Sequence, residues 1–277
     1  MRVVVLTLSL LLLAAAPAAH AQLFSTRLPT PYAGDYLNGV AASDAAGGLF
    51  VTGDRARPTP AVAFGVPTAF GANGRDVYAV ASGHVGRSPS GWFRDGAVFL
   101  GTGLGNSRRL IGVEATFAVY DLVGDTFAER SLSVKLHRRL GTRWAVAAGM
   151  ENMILAGRTD GGKSVYGVVS GSLPLRGEQQ AFGRLTLTAG VGDGRFNAYE
   201  NVRRGRNAAG VFGAAALRLV PRVSALVSWT GQDLNAGLSW APFPEWAFVV
   251  TPVLLDVDRR GGHGEWFAFS VGLGTTF

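Results

Sequence analysis

From Gly47 to the end of the chain, short segments with apolar residues at every second position alternate with clusters of Gly, Asn, Asp, Pro and Ser. A period of two puts successive side chains on opposite faces of an extended strand. The final stretch carries the pattern most plainly. Phe267, Phe269, Val271, Leu273, Thr275 and Phe277 fall on one face, and Ala268, Ser270, Gly272, Gly274 and Thr276 on the other. Counting backward, the pattern predicts strands over 265–277, 246–257, 233–241, 222–230, 208–219, 183–193, 164–175, 143–155, 130–140, 110–121, 96–105, 76–87, 60–70 and 47–53. That is about fourteen, or twelve to sixteen if one pair is merged or split.

Composition says what kind of all-β protein this is. Charged residues make up 16% of the chain and hydrophobic ones 48%, with 39 glycines. A soluble domain carries about a quarter charged residues, whereas a wall that faces lipid on one side needs few. The segments are about as long as tilted strands that cross a bilayer. The reading is a transmembrane, antiparallel, up-and-down β-barrel. Its connections mostly alternate between tight turns and longer loops, as periplasmic and outer connections do in bacterial barrels.

The beginning of the chain fits export. Arg2 precedes an apolar run, Val3 to Leu13, and Ala19-His20-Ala21 supplies a small-x-small cleavage site, so residues 1–21 read as a secretory signal peptide. Residues 22–46, rich in Pro, Gly, Ala and Ser, read as a periplasmic tail or small plug, and 47–277 as the barrel. With no cysteine, a disulfide-stapled fold is excluded. The net charge of +7 points to anionic neighbours such as lipopolysaccharide phosphates or an anionic solute. No nucleic-acid-binding motif is present.

Alternation also sorts side chains between lipid and lumen. In 130–140, Leu132, Val134, Leu136 and Leu140 share a face opposite Ser131, Ser133, Lys135, His137 and Arg139. A mid-strand charge facing lipid costs about 2–4 kcal/mol, so the Lys135 face is the lumen. The same logic turns Glu114, Glu151, Arg218, Thr186 and Thr188 inward. Glu114 and Lys135 lie on strands expected to be neighbours, which allows a cross-strand ion pair. The inward set Lys135, His137, Arg139, Arg218, Glu114 and Glu151 reads either as a charged constriction that screens solutes by sign or as wall ion pairs in a water- or loop-filled interior. Trp144, Trp229, Trp240 and Phe243 fall near strand ends, where aromatic girdles belong.

Other candidates are weighed by local chemistry. Arg203, Arg204 and Arg206 in the longest loop could meet lipopolysaccharide phosphates or simply be solvated. Asp233 and Asn235 suit turn hydrogen bonding better than a ligand site. Asp256 and Asp258, followed by Arg259, Arg260 and His263, offer too few oxygens for calcium. Of the histidines after the leader, His84, His137 and His263, none stands in a nucleophile motif. Gly101-Thr102-Gly103-Leu104-Gly105 lies on a strand rather than opening a helix, so it fails as a dinucleotide site. No cofactor, metal site or catalytic group is expected.

The segment Ser228–Pro244, S-W-T-G-Q-D-L-N-A-G-L-S-W-A-P-F-P, together with V-K-L-H-R-R-L-G-T at 134–142 and G-V-G-D-G-R-F at 190–196, resembles an uncharacterised, porin-like family of bacterial outer-membrane barrels. That family is distantly similar to barrels associated with exopolysaccharide export. The resemblance covers most of the chain after residue 95. It implies the fold, an outer-membrane location in a Gram-negative-type bacterium, and a C-terminal signature (Phe267, Phe269, Val271, Leu273, Phe277) of the kind presented to barrel-assembly machinery. The expected function is a passive channel for small hydrophilic solutes, leaning toward anions. The alternatives are a non-conducting accessory barrel for envelope assembly or polysaccharide export, with residues 22–46 docking a periplasmic partner, and a lipid-modifying enzyme.

Overall fold

The computed structural model describes residues 47–50, 56–88, 91–120, 122, 129–156, 162–177, 179–204, 206–258 and 266–277. The expected signal peptide and the tail at 22–46 lie outside them. Twelve strands form one closed antiparallel barrel: β1 (Asp76–Ser88), β2 (Gly91–Gly105), β3 (Gly112–Val119), β4 (Arg130–Leu140), β5 (Trp144–Ala156), β6 (Ser164–Pro174), β7 (Arg184–Gly192), β8 (Gly210–Val220), β9 (Val223–Trp229), β10 (Leu234–Trp240), β11 (Ala247–Leu255) and β12 (Trp266–Thr276). Each strand pairs with its sequence neighbours, and β12 closes the sheet on β1, with Asp76 opposite Thr276 and Val85 opposite Phe267. Closure leaves no unpaired sheet edge.

Of the fourteen expected strands, the last twelve are present with shifts of a few residues, and the first two are not in the wall. Residues 47–50 form a single 3-10 turn, and residues 56–73 run inside the barrel. The reason is physical. A wall strand must offer its backbone to two neighbours, but the 60–70 stretch carries Pro60 and Pro67, which have no N–H for a ladder. Its side chains are buried on both faces, from Thr59 to Asn73 without a break, whereas a wall strand exposes every second one.

That alternation is clear in the wall. In β12, Trp266, Ala268, Ser270, Gly272 and Gly274 are buried, while Phe267, Phe269 and Leu273 are exposed. The outer surface is therefore a belt of apolar side chains, and the inner surface carries the small, polar and charged ones. In β4, Lys135, His137 and Arg139 point inward as expected, and Arg138 points outward beside Leu136 and Leu140. A register shift between Leu132 and Val134 bends this strand.

The two barrel ends differ. At one end the connections are 106–111, 141–143, 175–183, 221–222 and 241–246; this turn end also holds the start of β1 and the finish of β12. The other, loop end has the long connections 120–129, 193–209 and 256–265. Within 193–209, a 3-10 turn (Gly194–Phe196) and a short helix α1 (Tyr199–Arg203) follow β7.

Candidate functional site

The lumen is occupied by the chain itself. Residues 56–73 enter near the turn end, climb along β12, β10 and β9, reverse at Gly65, and descend past β6, β4 and β3 to β1. Wall side chains hold this segment by its backbone at each level. On the way up, the Ala56 N–H donates to Thr276 Oγ1 at 2.9 Å, the Ala61 N–H to Ser239 Oγ at 2.8 Å and the Phe64 N–H to Ser228 Oγ at 3.1 Å. On the way down, the Ala69 N–H donates to Ser170 Oγ at 2.9 Å.

The reversal needs a left-handed residue, and Gly65 takes φ +76°, a conformation that costs other residues a steric penalty. Arg195 closes the loop end over it. Its Nη1 donates to the Gly65 carbonyl at 2.7 Å, its Nη2 donates to Glu151 Oε1 at 2.8 Å, and Nε bonds the other Glu151 oxygen. The guanidinium also lies over the Phe196 ring, 4.3 Å from its centroid. Phe196 stacks on Phe212 at 4.3 Å and meets Tyr166 edge-on. Gln232 donates to the Asn197 carbonyl at 2.9 Å, fixing the 193–197 turn from the β9–β10 side.

Lower in the lumen, three of the predicted residues grip one stretch of backbone. Glu114 and Lys135 are directly paired in the β3–β4 register and form an ion pair at 2.9 Å, both almost wholly buried. Lys135 Nζ also donates to the Phe70 carbonyl at 2.9 Å, and Glu114 Oε2 accepts from the Ala72 N–H at 2.7 Å. His137 Nε2 lies 2.9 Å from the Ala72 carbonyl; a carbonyl only accepts, so that nitrogen carries the proton. Arg139 donates to the Phe50 carbonyl and sits 5.1 Å over the Phe70 ring. Such a charge-assisted clamp is stronger than the neutral bonds above it. Gly103 lets it close, because a Cβ there would lie 2.4 Å from the Ala72 carbonyl oxygen.

Of the six charged residues, Glu114, Lys135, His137 and Arg139 gather on β3 and β4 around a strap of chain, while Glu151 pairs with Arg195 at the loop end. Arg218 also faces inward, directly opposite Arg184 on β7. Thr186 and Thr188 are buried as expected, the latter bonded to Ser170 at 2.8 Å. Between the polar positions Ser82, His84 and Thr251, Val80, Phe99, Val249, Val253 and Leu255 of β1, β2 and β11 are buried in one apolar cluster with the strap's Val62, Phe64, Val66 and Phe70. Arg195 was not among the predicted residues. It lies in a loop, where a period of two carries no information; its neighbour Phe196, an aromatic in the turn D-G-R-F-N, was the available signal.

Elsewhere, Arg204, just past α1, pairs with Glu200 at 2.7 Å, both side chains exposed, Arg206 is exposed, and the Arg203 side chain lies outside the described residues. Asp233 and Thr230 close the β9–β10 turn through backbone bonds, with the Thr230 N–H donating to the Asp233 carbonyl at 3.1 Å. Asn235 Oδ1 accepts from the Asp256 N–H at 3.2 Å. His84 is buried and stacks on Trp266, 5.7 Å between centroids; Arg259, Arg260 and His263 lie outside the described residues. Among the described residues no group of acidic and histidine side chains could hold a metal ion.

These features define a strap-filled, twelve-stranded barrel. No protein-family model matches the sequence, and no curated protein matches it. Among solved structures, it is similar to the KdgM porin in complex with disordered oligogalacturonate (10% identity, TM-score 0.41, covering 73% of this chain and 99% of that one). It is also similar to the COG4313 outer membrane channel from Pseudomonas putida F1 (12% identity, TM-score 0.38, covering 74% of this chain and 96% of that one).

Proposed function

We propose that this chain is a porin-like outer-membrane β-barrel whose lumen is closed by its own residues 56–73, and that it passes small hydrophilic solutes once that strap leaves. The turn end faces the periplasm and the loop end the exterior, following the usual asymmetry of bacterial barrels. The observation that carries the reading is the division of labour between wall and strap. Among the described residues each barrel strand is laddered only to its two wall neighbours, apart from a single bridge from Gly103 to Gly74 just after the strap, while the strap is attached chiefly through side-chain bonds to its backbone. Removing it breaks no pairing between barrel strands. It would uncover Lys135, His137, Arg139 and Arg218 with Glu114 and Glu151, the set proposed to screen solutes by sign, with a lean toward anions.

A second reading is favoured by the same filled lumen: a non-conducting accessory barrel for envelope assembly or polysaccharide export, with residues 22–46 docking a periplasmic partner. Under either reading, Arg203, Arg204 and Arg206 stand at the lipopolysaccharide side, and the β12 face with Phe277 is the segment offered to barrel-assembly machinery.

Planar-bilayer conductance separates the two. Full-length protein is expected to be largely silent, and a variant lacking residues 56–73 to give stable open steps. Lys135→Glu with Arg139→Glu should then reverse ion preference. A folded, strap-deleted barrel that stays silent would sink the channel reading in favour of the accessory one.

A further inference from the structure

The turn end carries a second feature that the channel reading does not use. Arg75, Arg109, Arg138, Arg143, Arg176 and Arg222 are all exposed there. Among the described residues, Glu245 is the one exposed acid at that end. The loop end, by contrast, mixes signs, as in the Arg204–Glu200 pair.

Each of these arginines stands beside exposed apolar surface. Phe277 donates its N–H to the Arg75 carbonyl and is exposed. Arg109 precedes the exposed Leu110 and Ile111. Arg138 lies on the outer face of β4 between Leu136 and Leu140, opposite Val146 on β5, and Arg143 precedes the exposed Trp144. Arg176 follows the exposed Leu175, with Phe182 in the same turn. Arg222 follows Val220 and Pro221, and donates from Nη1 to the Pro242 carbonyl at 3.0 Å, next to the exposed Phe243. The remaining turn, 241–246, supplies Phe243 and Trp246.

A guanidinium on an apolar, lipid-facing surface keeps its stem on the hydrocarbon and sends its head to the interface. There its planar fork matches a phosphate diester. A ring of such groups, with Glu245 the one exposed acid among the described residues there, marks a surface for negative charge at the height of the headgroups. We propose that the turn end binds the headgroups of anionic phospholipids in the leaflet it crosses, each arginine anchored by the apolar side chain next to it. Lipid is favoured over an acidic protein because the arginines are spread over the start of β1, the end of β4 and four different turns of the barrel end, each next to exposed apolar residues, instead of gathering on one exposed patch. The inference rests on the barrel residing in a membrane.

The test uses the full chain, refolded into phosphatidylcholine vesicles with and without phosphatidylglycerol, extracted gently and weighed by native mass spectrometry to count retained lipids. Retention of phosphatidylglycerol over phosphatidylcholine is expected. Arg138→Gln, Arg143→Gln, Arg176→Gln and Arg222→Gln together should lower that preference about ten-fold or more, since one arginine near an anionic surface changes affinity about five-fold. High salt should do the same, and Lys163→Gln at the loop end should not. Should the four-fold variant not fold, Arg143→Gln and Arg176→Gln singly still read the effect. A folded wild-type barrel without preference, an unchanged four-fold variant, or loss of preference in the loop-end variant would each overturn the proposal. So would capture of polyglutamate in place of lipid. Failure to insert into either vesicle would instead overturn the membrane reading beneath it, a distinguishable result.

Discussion

Residues 60–70 and residues 266–276 are built from nearly the same material and end in opposite places. Both set large residues against small ones at every second position: Val62, Phe64, Val66 and Phe70 against Ala61, Ala63, Gly65 and Ala69 in the first, Phe267, Phe269, Val271 and Leu273 against Ala268, Ser270, Gly272 and Gly274 in the second. The second becomes a wall strand, with its large residues outward and its backbone bonded on both sides. The first becomes a strap with no exposed face, its backbone bonded to serines and a lysine of the wall. Period two thus specifies an extended chain, and backbone bonding decides whether that chain joins a sheet. Pro60 and Pro67 weaken the first segment as a ladder partner, and a lumen lined with hydroxyls and charges gives it another set of partners.

The largest effect should come where wall and strap meet. Lys135→Ala leaves Glu114 buried without its cation, which costs about 3–5 kcal/mol. Urea unfolding followed by tryptophan fluorescence should show it, and adding Glu114→Gln should recover part of the loss. Next, Phe269→Arg puts a charge on the outer face of β12, at a cost of about 2–4 kcal/mol near mid-bilayer. Its insertion into vesicles should weaken while strap occupancy in the folded fraction stays the same. If both variants affect insertion and occupancy alike, wall and strap are one cooperative unit and the comparison fails.

A smaller effect is confined to the strap. Ser228→Ala strands the buried Phe64 N–H, worth about 1–3 kcal/mol, without touching a wall hydrogen bond between strands. Because the chain has 0 cysteines, Ala63→Cys reports strap exposure by maleimide labelling. Labelling should quicken in the Ser228→Ala background while barrel unfolding is unmoved. Smallest of all, Arg204→Ala removes an exposed i,i+4 pair with Glu200, a change of about 0.5 kcal/mol or less that should leave unfolding and labelling unaltered.

Much of the lumen was legible in advance, for a simple reason. In a strand the side-chain period is fixed at two, so one charge that cannot face lipid orients the whole strand. Lys135 oriented β4, and neighbouring strands then brought Glu114 opposite it. Arg195 was not legible, because it reaches Glu151 and Gly65 from a 3-10 turn. The strap was misread for the converse reason: Val62, Phe64 and Val66 obey the strand period without being in a strand.

By itself, then, the sequence determined the wall: the twelve strands from Asp76 onward, their inward and outward faces, and the Glu114–Lys135 pairing. Those follow from alternation and the cost of misplaced charge, which are local properties of each segment. Only the tertiary structure decided that the barrel closes at twelve strands and that residues 56–73 fill it. Both depend on which distant groups satisfy a backbone, Ser239 for Ala61 across 178 residues and Ser228 for Phe64 across 164. No local pattern records partners that far away.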